Sequence, residues 1–97
     1  MVEVSNHAAD RLKERCGLKK KSIQRMAEKV YICGIRHSET KGNLNKWISG
    51  LYSYNKNANN IRLYGDKAYI FAGQVLITVI QIPSDLFSNM KNLVKTN

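Results

Sequence analysis

A histidine and two arginines recur at intervals of four residues near the start of the chain. On an α-helix, residues four apart lie on the same side, so His7, Arg11 and Arg15 form one cationic stripe. The apolar residues of the segment fall beside this stripe on the helical wheel and not opposite to it, namely Ala8, Ala9, Leu12 and Cys16. The stripe therefore borders the buried face, where a cation faces a groove beside the core and can bind a phosphate group.

Metal-independent cleavage of RNA needs a base for the 2′-hydroxyl, cations around the phosphorane and an acid for the leaving oxygen. We expect His7 to be the base and Arg11 to hold the phosphate, because a guanidinium fork matches two phosphate oxygens. Besides His37, the sequence offers no second strong candidate for the acid. The alternative is a solvated stripe whose arginines pair with Asp10 and Glu14 and bind no ligand.

The charge balance favours a polyanionic partner. Sixteen Lys and Arg residues stand against seven Asp and Glu residues in 97 residues, which gives a formal net charge of +9. We expect a nucleic acid, with RNA favoured, or a nucleotide; an antitoxin or a host protein is a further candidate partner. The length predicts one domain over residues 1–97.

The sequence also indicates the cellular compartment of the protein. The longest apolar run, Val75 to Ile82, has the length of a strand, so we expect no membrane partner. The first residues have none of the features of a secretory signal. Cys16 and Cys33 lack the spacing of a disulfide framework. We therefore expect a cytoplasmic protein with two reduced, largely buried thiols.

No motif predicts a metal or a cofactor. A zinc site built from Cys16, Cys33, His7 and His37 matches no known ligand spacing. Walker loops, dinucleotide-binding glycine motifs, HExxH sequences and paired carboxylates are absent from the sequence. We expect neither a metal nor a cofactor.

Three helices are predicted in the first half of the chain. The first begins at Ser5 or Asn6 and ends at residue 16, before Gly17. The second begins near residue 20 or 22 and ends at Gly34. The third, over about residues 43–54, is indicated by apolar residues at helical spacing, Leu44, Trp47, Ile48 and Leu51.

Strand-like alternation follows residue 55. Three runs have strand character, Ile61–Tyr64, Lys67–Ala72 and Val75–Ile82. Two-residue loops that begin with Gly65 and Gly73 join them as hairpins. We therefore predict an α+β domain in which N-terminal helices pack on one face of a small antiparallel β-meander, with a C-terminal helix that begins at Ser84.

The hairpin loops also fix a register. Arg62 then opposes Tyr69 and Tyr69 opposes Thr78, which makes a polar row on the open face of the sheet. We predict that Arg62 completes a catalytic site with His7 and Arg11. An ordinary solvated sheet face is the alternative for this row. The substrate-binding candidates are Arg15, Tyr69, Thr78, His37 and Lys41.

The motif His-Ala-x-x-Arg-x-x-x-Arg at 7–15, a second helix, and a meander ending in Leu-Ile-Thr-Val at 76–79 carry a family resemblance. Together they resemble small phage and bacterial domains of the superfamily that groups barnase, RelE and the tRNA-cutting colicins. The resemblance covers about residues 5–82. It implies a metal-independent ribonuclease of phage or toxin type, or an inactive relative, on an α+β scaffold. The active groups would lie on the open face of the sheet and on a preceding helix.

Carried over by position, the resemblance assigns the helix motif to His7, Arg11 and Arg15. It assigns the basic strand residue to Arg62 and the late-strand hydroxyl to Thr78. The third helix and the final helix depart from a minimal RelE-like toxin. These departures argue against ribosome-dependent cleavage.

The predicted function is that of a basic, nucleic-acid-directed protein acting as a metal-independent endoribonuclease. The alternative is a non-catalytic protein that binds RNA, DNA or a small nucleotide signal in the same groove. In either case aromatic side chains can stack on bases, and the candidates are Trp47, Tyr52, Tyr54, Tyr64 and Tyr69.

Overall fold

The structure, a computed structural model, describes residues 2–87 of the chain. These residues form three helices and a five-stranded mixed sheet, which confirms an α+β fold. The helices are α1 (Asn6–Cys16), α2 (Lys20–Cys33) and α3 (Gly42–Tyr54). The strands are β1 (Glu3–Val4), β2 (Ile35–Arg36), β3 (Asn60–Tyr64), β4 (Lys67–Ala72) and β5 (Val75–Gln81). Two short 3₁₀ helices span His37–Glu39 and Ser84–Leu86.

The strands lie in the order β1-β5-β4-β3-β2. β1 runs parallel to β5, and the other neighbours are antiparallel. The central meander is therefore the predicted one, flanked by two additional edge strands. Sequence patterns missed β1 and β2 because a strand of two residues has no measurable alternation.

Both hairpins have the predicted two-residue loops. Tyr64 pairs with Lys67, and Ala72 pairs with Val75. The first loop residue has a φ of +60° at Gly65 and +62° at Gly73. This left-handed backbone conformation is costly for a residue with a Cβ atom, so glycine is required at the start of each loop.

The predicted pairing of Tyr69 with Thr78 is wrong. Arg62 does pair with Tyr69, but Thr78 pairs with Ile70, because β5 contains a bulge. The extra residue is Ile77, which lies between Leu76, the partner of Phe71, and Thr78. One additional residue moves Thr78 to the opposite face of the sheet, so the predicted polar row does not form.

Helices cover both faces of the sheet. Consecutive residues of β4 enter different cores: Tyr69 and Phe71 pack with α1 and α2, whereas Ala68 and Ile70 pack with α3. The predicted single helical layer with an open sheet face is therefore wrong. Tyr69 is 3% exposed, and burial raises its pKa to about 12, so this residue belongs to the core.

The bounds of the three helices agree with the predictions to within about two residues. Ser5 caps α1 by accepting a hydrogen bond from the backbone N–H of Ala8 at 3.1 Å. Gly17 ends this helix with a φ of +64°. Where a C-terminal helix was predicted to begin, the structure has the 3₁₀ helix Ser84–Leu86. The rest of that prediction, beyond Phe87, concerns residues outside those the structure describes.

The two cysteines are not buried. Cys16 is the last residue of α1 and Cys33 the last residue of α2, and both are exposed and unpaired in the structure. The prediction of largely buried thiols is therefore wrong. Each cysteine is the last residue of its helix, next to the glycine that follows the helix, and lies outside the buried face.

Ser5 joins α1 to the sheet in addition to capping the helix. Its backbone N–H donates to Leu76 O at 3.0 Å, and its hydroxyl donates to Ile77 O at 3.1 Å. Replacing Ser5 by alanine removes the cap and leaves the bulge carbonyl without this donor. We expect Ser5→Ala to lower the free energy of unfolding by about 1–2 kcal/mol, measured by urea denaturation.

Ser53→Ala is the matched control, because the Ser53 hydroxyl is exposed on α3 and donates only to Ser49 O at 3.5 Å. We expect this variant to stay within about 0.5 kcal/mol of the wild type. Equal losses in the two variants would contradict the role assigned to Ser5.

Candidate functional site

A groove of about 500 Å³ runs along β5, between α1 and the end of α3. It is lined by His7, Arg11 and Arg15 from α1, by Asn55, and by residues 77–80 of β5. We call this site the α1 groove. β1 pairs only with Val75 and Leu76, so in residues 2–87 the edge of β5 beyond the bulge has no neighbouring strand. Main-chain N–H and C=O groups of an edge strand are available to a ligand.

The cationic stripe has the position that the helical wheel predicts. Ala8 and Leu12 are completely buried against β5 and fix the rotation of α1 about its axis. This rotation leaves His7 and Arg15 exposed and Arg11 half-buried, all on the side of the helix that lines the groove. Apolar packing of one helical face therefore aims the basic side chains of the adjacent face.

The basic side chains of the groove form no ion pair with residues 2–87. Within residues 2–87 the single ion pair joins Lys67 to Asp66, so Arg11 and Arg15 form none with Asp10 or Glu14. In the described part of the chain, no carboxylate side chain lines the α1 groove. The described residues also provide no hydrogen-bond partner for the His7 imidazole or for either guanidinium group. These donors are available to an external anion.

Asp10 lies in a separate cavity, with Lys13 of α1 and Lys20 of α2. Its carboxylate therefore faces away from the stripe. The interpretation of the stripe as a set of surface ion pairs does not fit this arrangement.

Asn55 is a groove residue that the sequence did not single out. It follows the last residue of α3, and its side-chain amide donates to Leu51 O at 2.9 Å. The preceding residue, Tyr54, is 90% exposed. α3 packs on the opposite face of the sheet from α1, so the approach of its end to the groove depends on tertiary structure. No local signal in the sequence indicates it.

Thr78 lines the α1 groove together with the three α1 residues, but Arg62 does not. Arg62 lies on β3, with β4 between it and β5, and it lines a different cavity. Its Nε donates to Asn60 Oδ1 at 2.9 Å and its Nη1 to Gly34 O at 3.2 Å. The structure thus brings together four of the predicted site residues and leaves Arg62 apart from them.

His37 and Lys41 lie beside α3 and outside the α1 groove. The His37 ring is 5.5 Å from the Tyr52 ring, and its Nε2 lies 3.2 Å from Ser49 Oγ. Lys41 precedes α3 and is exposed. The predicted candidate for the acid is therefore not among the residues that line the groove.

Most of the aromatic candidates serve the fold. Trp47 packs against the core between α3 and the sheet. The Tyr52 hydroxyl accepts a hydrogen bond from the backbone N–H of Ile61 at 3.0 Å. The Tyr64 ring lies 5.3 Å from Lys29 Nζ, and hydrogen bonding to Tyr64 raises the pKa of Lys29. Tyr54 differs from these residues because its exposed ring is next in sequence to a groove residue.

Residues 2–87 contain neither a cluster of metal ligands nor a helix that could span a membrane. No three His, Cys, Asp or Glu side chains in this part of the chain are grouped so that they could hold a metal ion. Among the helices described, none has the length and apolar composition needed to cross a bilayer.

Comparison with known proteins identifies no relative. No protein-family model matches the sequence, no curated protein is significantly similar to it, and no solved structure matches it significantly. The resemblance to the barnase and RelE superfamily therefore stays a prediction from sequence motifs.

Proposed function

We propose that this protein binds RNA through the α1 groove. The observation that carries the proposal is the set of three basic side chains on one side of α1, without carboxylate partners, above the unpaired edge of β5. Basic side chains that neutralise phosphates supply most of the affinity of non-specific nucleic-acid binding. The net charge of +9 adds a long-range attraction for the same ligand.

The length of the stripe fits a nucleic-acid backbone. His7 and Arg15 are eight residues apart on α1, which corresponds to about 12 Å along the helix axis. Successive phosphates of one strand are closer together than this, so more than one phosphate can contact the stripe. Arginine forks are suited to phosphate oxygens because they donate two parallel hydrogen bonds.

The other wall of the groove suits the sugars and bases of a single strand. The Thr78 hydroxyl and the main chain of residues 78–80 provide polar groups for a 2′-hydroxyl or a base edge. Tyr54, which precedes Asn55 in sequence, offers an exposed aromatic ring on which an unpaired base can stack. These features favour single-stranded RNA over duplex DNA, whose bases are already stacked.

Binding can be tested with a fluorescein-labelled single-stranded RNA whose affinity is measured at several salt concentrations. We expect affinity to fall steeply with salt in the wild type. For the double variant Arg11→Gln/Arg15→Gln, we expect affinity to fall at least about tenfold at low salt. The slope of log K against log salt should shrink by about 1.4, since each contact to a single strand contributes about 0.7.

Lys46→Gln is the charge control, because Lys46 is exposed on α3 and outside the α1 groove. We expect this variant to change RNA affinity far less than Arg11→Gln or Arg15→Gln alone. Salt-independent binding, or equal losses from Lys46 and Arg11, would contradict the proposal. DNA of the same sequence and a mononucleotide competitor distinguish an RNA-binding protein from one that binds DNA or a small nucleotide.

Metal-independent RNA cleavage is the second candidate function. The observation that favours it is the presence of His7 in the same groove as Arg11 and Thr78. In this mechanism the His7 imidazole removes the proton of a 2′-hydroxyl, and the oxygen then attacks the adjacent phosphorus while Arg11 binds the phosphate oxygens. No second acid side chain among the described residues lines the groove, so water would protonate the leaving 5′-oxygen. We therefore propose RNA binding as the primary function and RNA cleavage as the second candidate.

Cleavage is tested by incubating the purified protein with RNA in EDTA. The mechanism predicts products with 2′,3′-cyclic phosphate ends and no cut at a single 2′-deoxy position. His7→Ala should lower the rate about 10²–10⁴-fold while RNA affinity changes only a few-fold, because the base acts in the chemical step. A wild type that leaves RNA intact, together with weaker binding by Arg11→Gln, identifies a binding protein without nuclease activity.

A further inference from the structure

Two arginines face each other directly on neighbouring strands at the far side of the sheet. Arg36 of β2 pairs with Arg62 of β3 in the antiparallel register, so both side chains lie on the same face. The Cβ atoms of such a pair are about 4.5–5.5 Å apart, and like charges in this position are destabilising. This pairing therefore destabilises the folded protein locally through repulsion between the two guanidinium charges.

No ion pair formed within residues 2–87 offsets this cost. Neither arginine takes part in the one ion pair of residues 2–87. Glu39 lines the same cavity, but its Oε1 accepts the backbone N–H of Arg36 at 2.9 Å. Two N–H groups of Arg62 donate to the neutral acceptors Asn60 Oδ1 and Gly34 O. The remaining N–H groups of Arg62 and the Arg36 guanidinium have no acceptor among the described residues.

The position of Arg62 is fixed by a close approach of the backbone. A Cβ atom at Gly34 would lie 2.8 Å from the Cβ of Arg62 and 2.6 Å from Val30 O, both too short for a real contact. Glycine at this position therefore lets the end of α2 contact β3 directly. The base of the Arg62 side chain has little freedom to move away from Arg36.

Both arginines line a cavity of about 400 Å³. Ser38 adds a hydroxyl to this cavity, and Ile32, which is 73% exposed, adds an apolar wall. Two arginine forks can donate four hydrogen bonds to a tetrahedral anion and remove the repulsion between them. A phosphate group fits this arrangement better than a carboxylate, because it offers more than two acceptor oxygens.

We propose that Arg36 and Arg62 form a second anion site, separate from the α1 groove, that binds a terminal phosphate group. The shared chemistry of its ligands is the phosphomonoester, carried either by a free nucleotide or by the phosphorylated end of an RNA. β5 and β2 are three strand spacings apart, about 14 Å. A short single strand can span that distance, but the site does not depend on RNA binding in the α1 groove.

The test uses inorganic phosphate as the probe, with calorimetric titration and thermal unfolding at constant ionic strength. We expect phosphate to bind the wild type and to raise its unfolding temperature. Arg36→Gln should weaken phosphate binding roughly tenfold to hundredfold, because charge-assisted hydrogen bonds are lost. In phosphate-free buffer the same variant should unfold up to about 4 °C higher than the wild type, since the like-charge pair is removed.

Lys46→Gln serves again as the charge control and should retain phosphate binding. Arg36→Lys keeps the charge but loses the fork, so it carries the test if Arg36→Gln does not fold; its phosphate affinity should also fall. Absence of phosphate binding by the wild type overturns the proposal. So does phosphate binding that is kept in Arg36→Gln and lost in Arg11→Gln, because the anion then occupies the α1 groove.

The edge position of Arg36 provides a competing explanation, in which the charge only prevents sheet edges from associating. Dimer formation by Arg36→Gln with unchanged phosphate affinity would support that explanation and overturn ours. Two further ligands distinguish the two possible sources of the phosphate group, an RNA end and a free nucleotide. Tighter binding of 5′-phosphorylated RNA than of its 5′-hydroxyl counterpart, only when Arg36 is present, identifies an RNA end. Tight binding of a nucleoside 5′-monophosphate with no difference between the two RNAs identifies a free nucleotide.

Discussion

The hydrogen bonds of Ser5 determine where α1 lies on the sheet. The residue ends the parallel pairing of β1 with β5, caps α1 and donates its hydroxyl to the carbonyl of the bulge residue Ile77. These contacts fix the start of the helix relative to β5, and the burial of Ala8 and Leu12 fixes its rotation. The direction of His7, Arg11 and Arg15 follows from both constraints.

The bulge and the short first strand together create the site. Because β1 stops at Val4, the outer edge of β5 is left unpaired over the residues that follow Leu76. The bulge at Ile77 bends the strand at this point and moves Thr78 to the face covered by α3. The groove therefore lies between the two helical layers, with cations from one layer and Asn55 from the end of the other.

Local patterns were sufficient for the helices, the hairpins and the cationic stripe. Ser5, Gly17 and the loop glycines act on their own neighbours, so their effect can be deduced from the sequence. The bulge could not be predicted, because nothing in the sequence of β5 distinguishes a strand with one extra residue. The error placed Thr78 opposite Tyr69. The sheet face that carries Tyr69 was predicted to be open, but α1 and α2 cover it. The separation of Arg62 from His7 follows from the same global arrangement.

RNA binding in the α1 groove is tested most directly by titrating the isotope-labelled protein with a short single-stranded RNA and following the titration by NMR. We expect the largest chemical-shift changes in the side-chain Nε–H groups of Arg11 and Arg15 and in the backbone amides of residues 78–80. Changes concentrated instead on the lysines at the start of α2, Lys20 and Lys21, with the α1 groove unaffected, would contradict it.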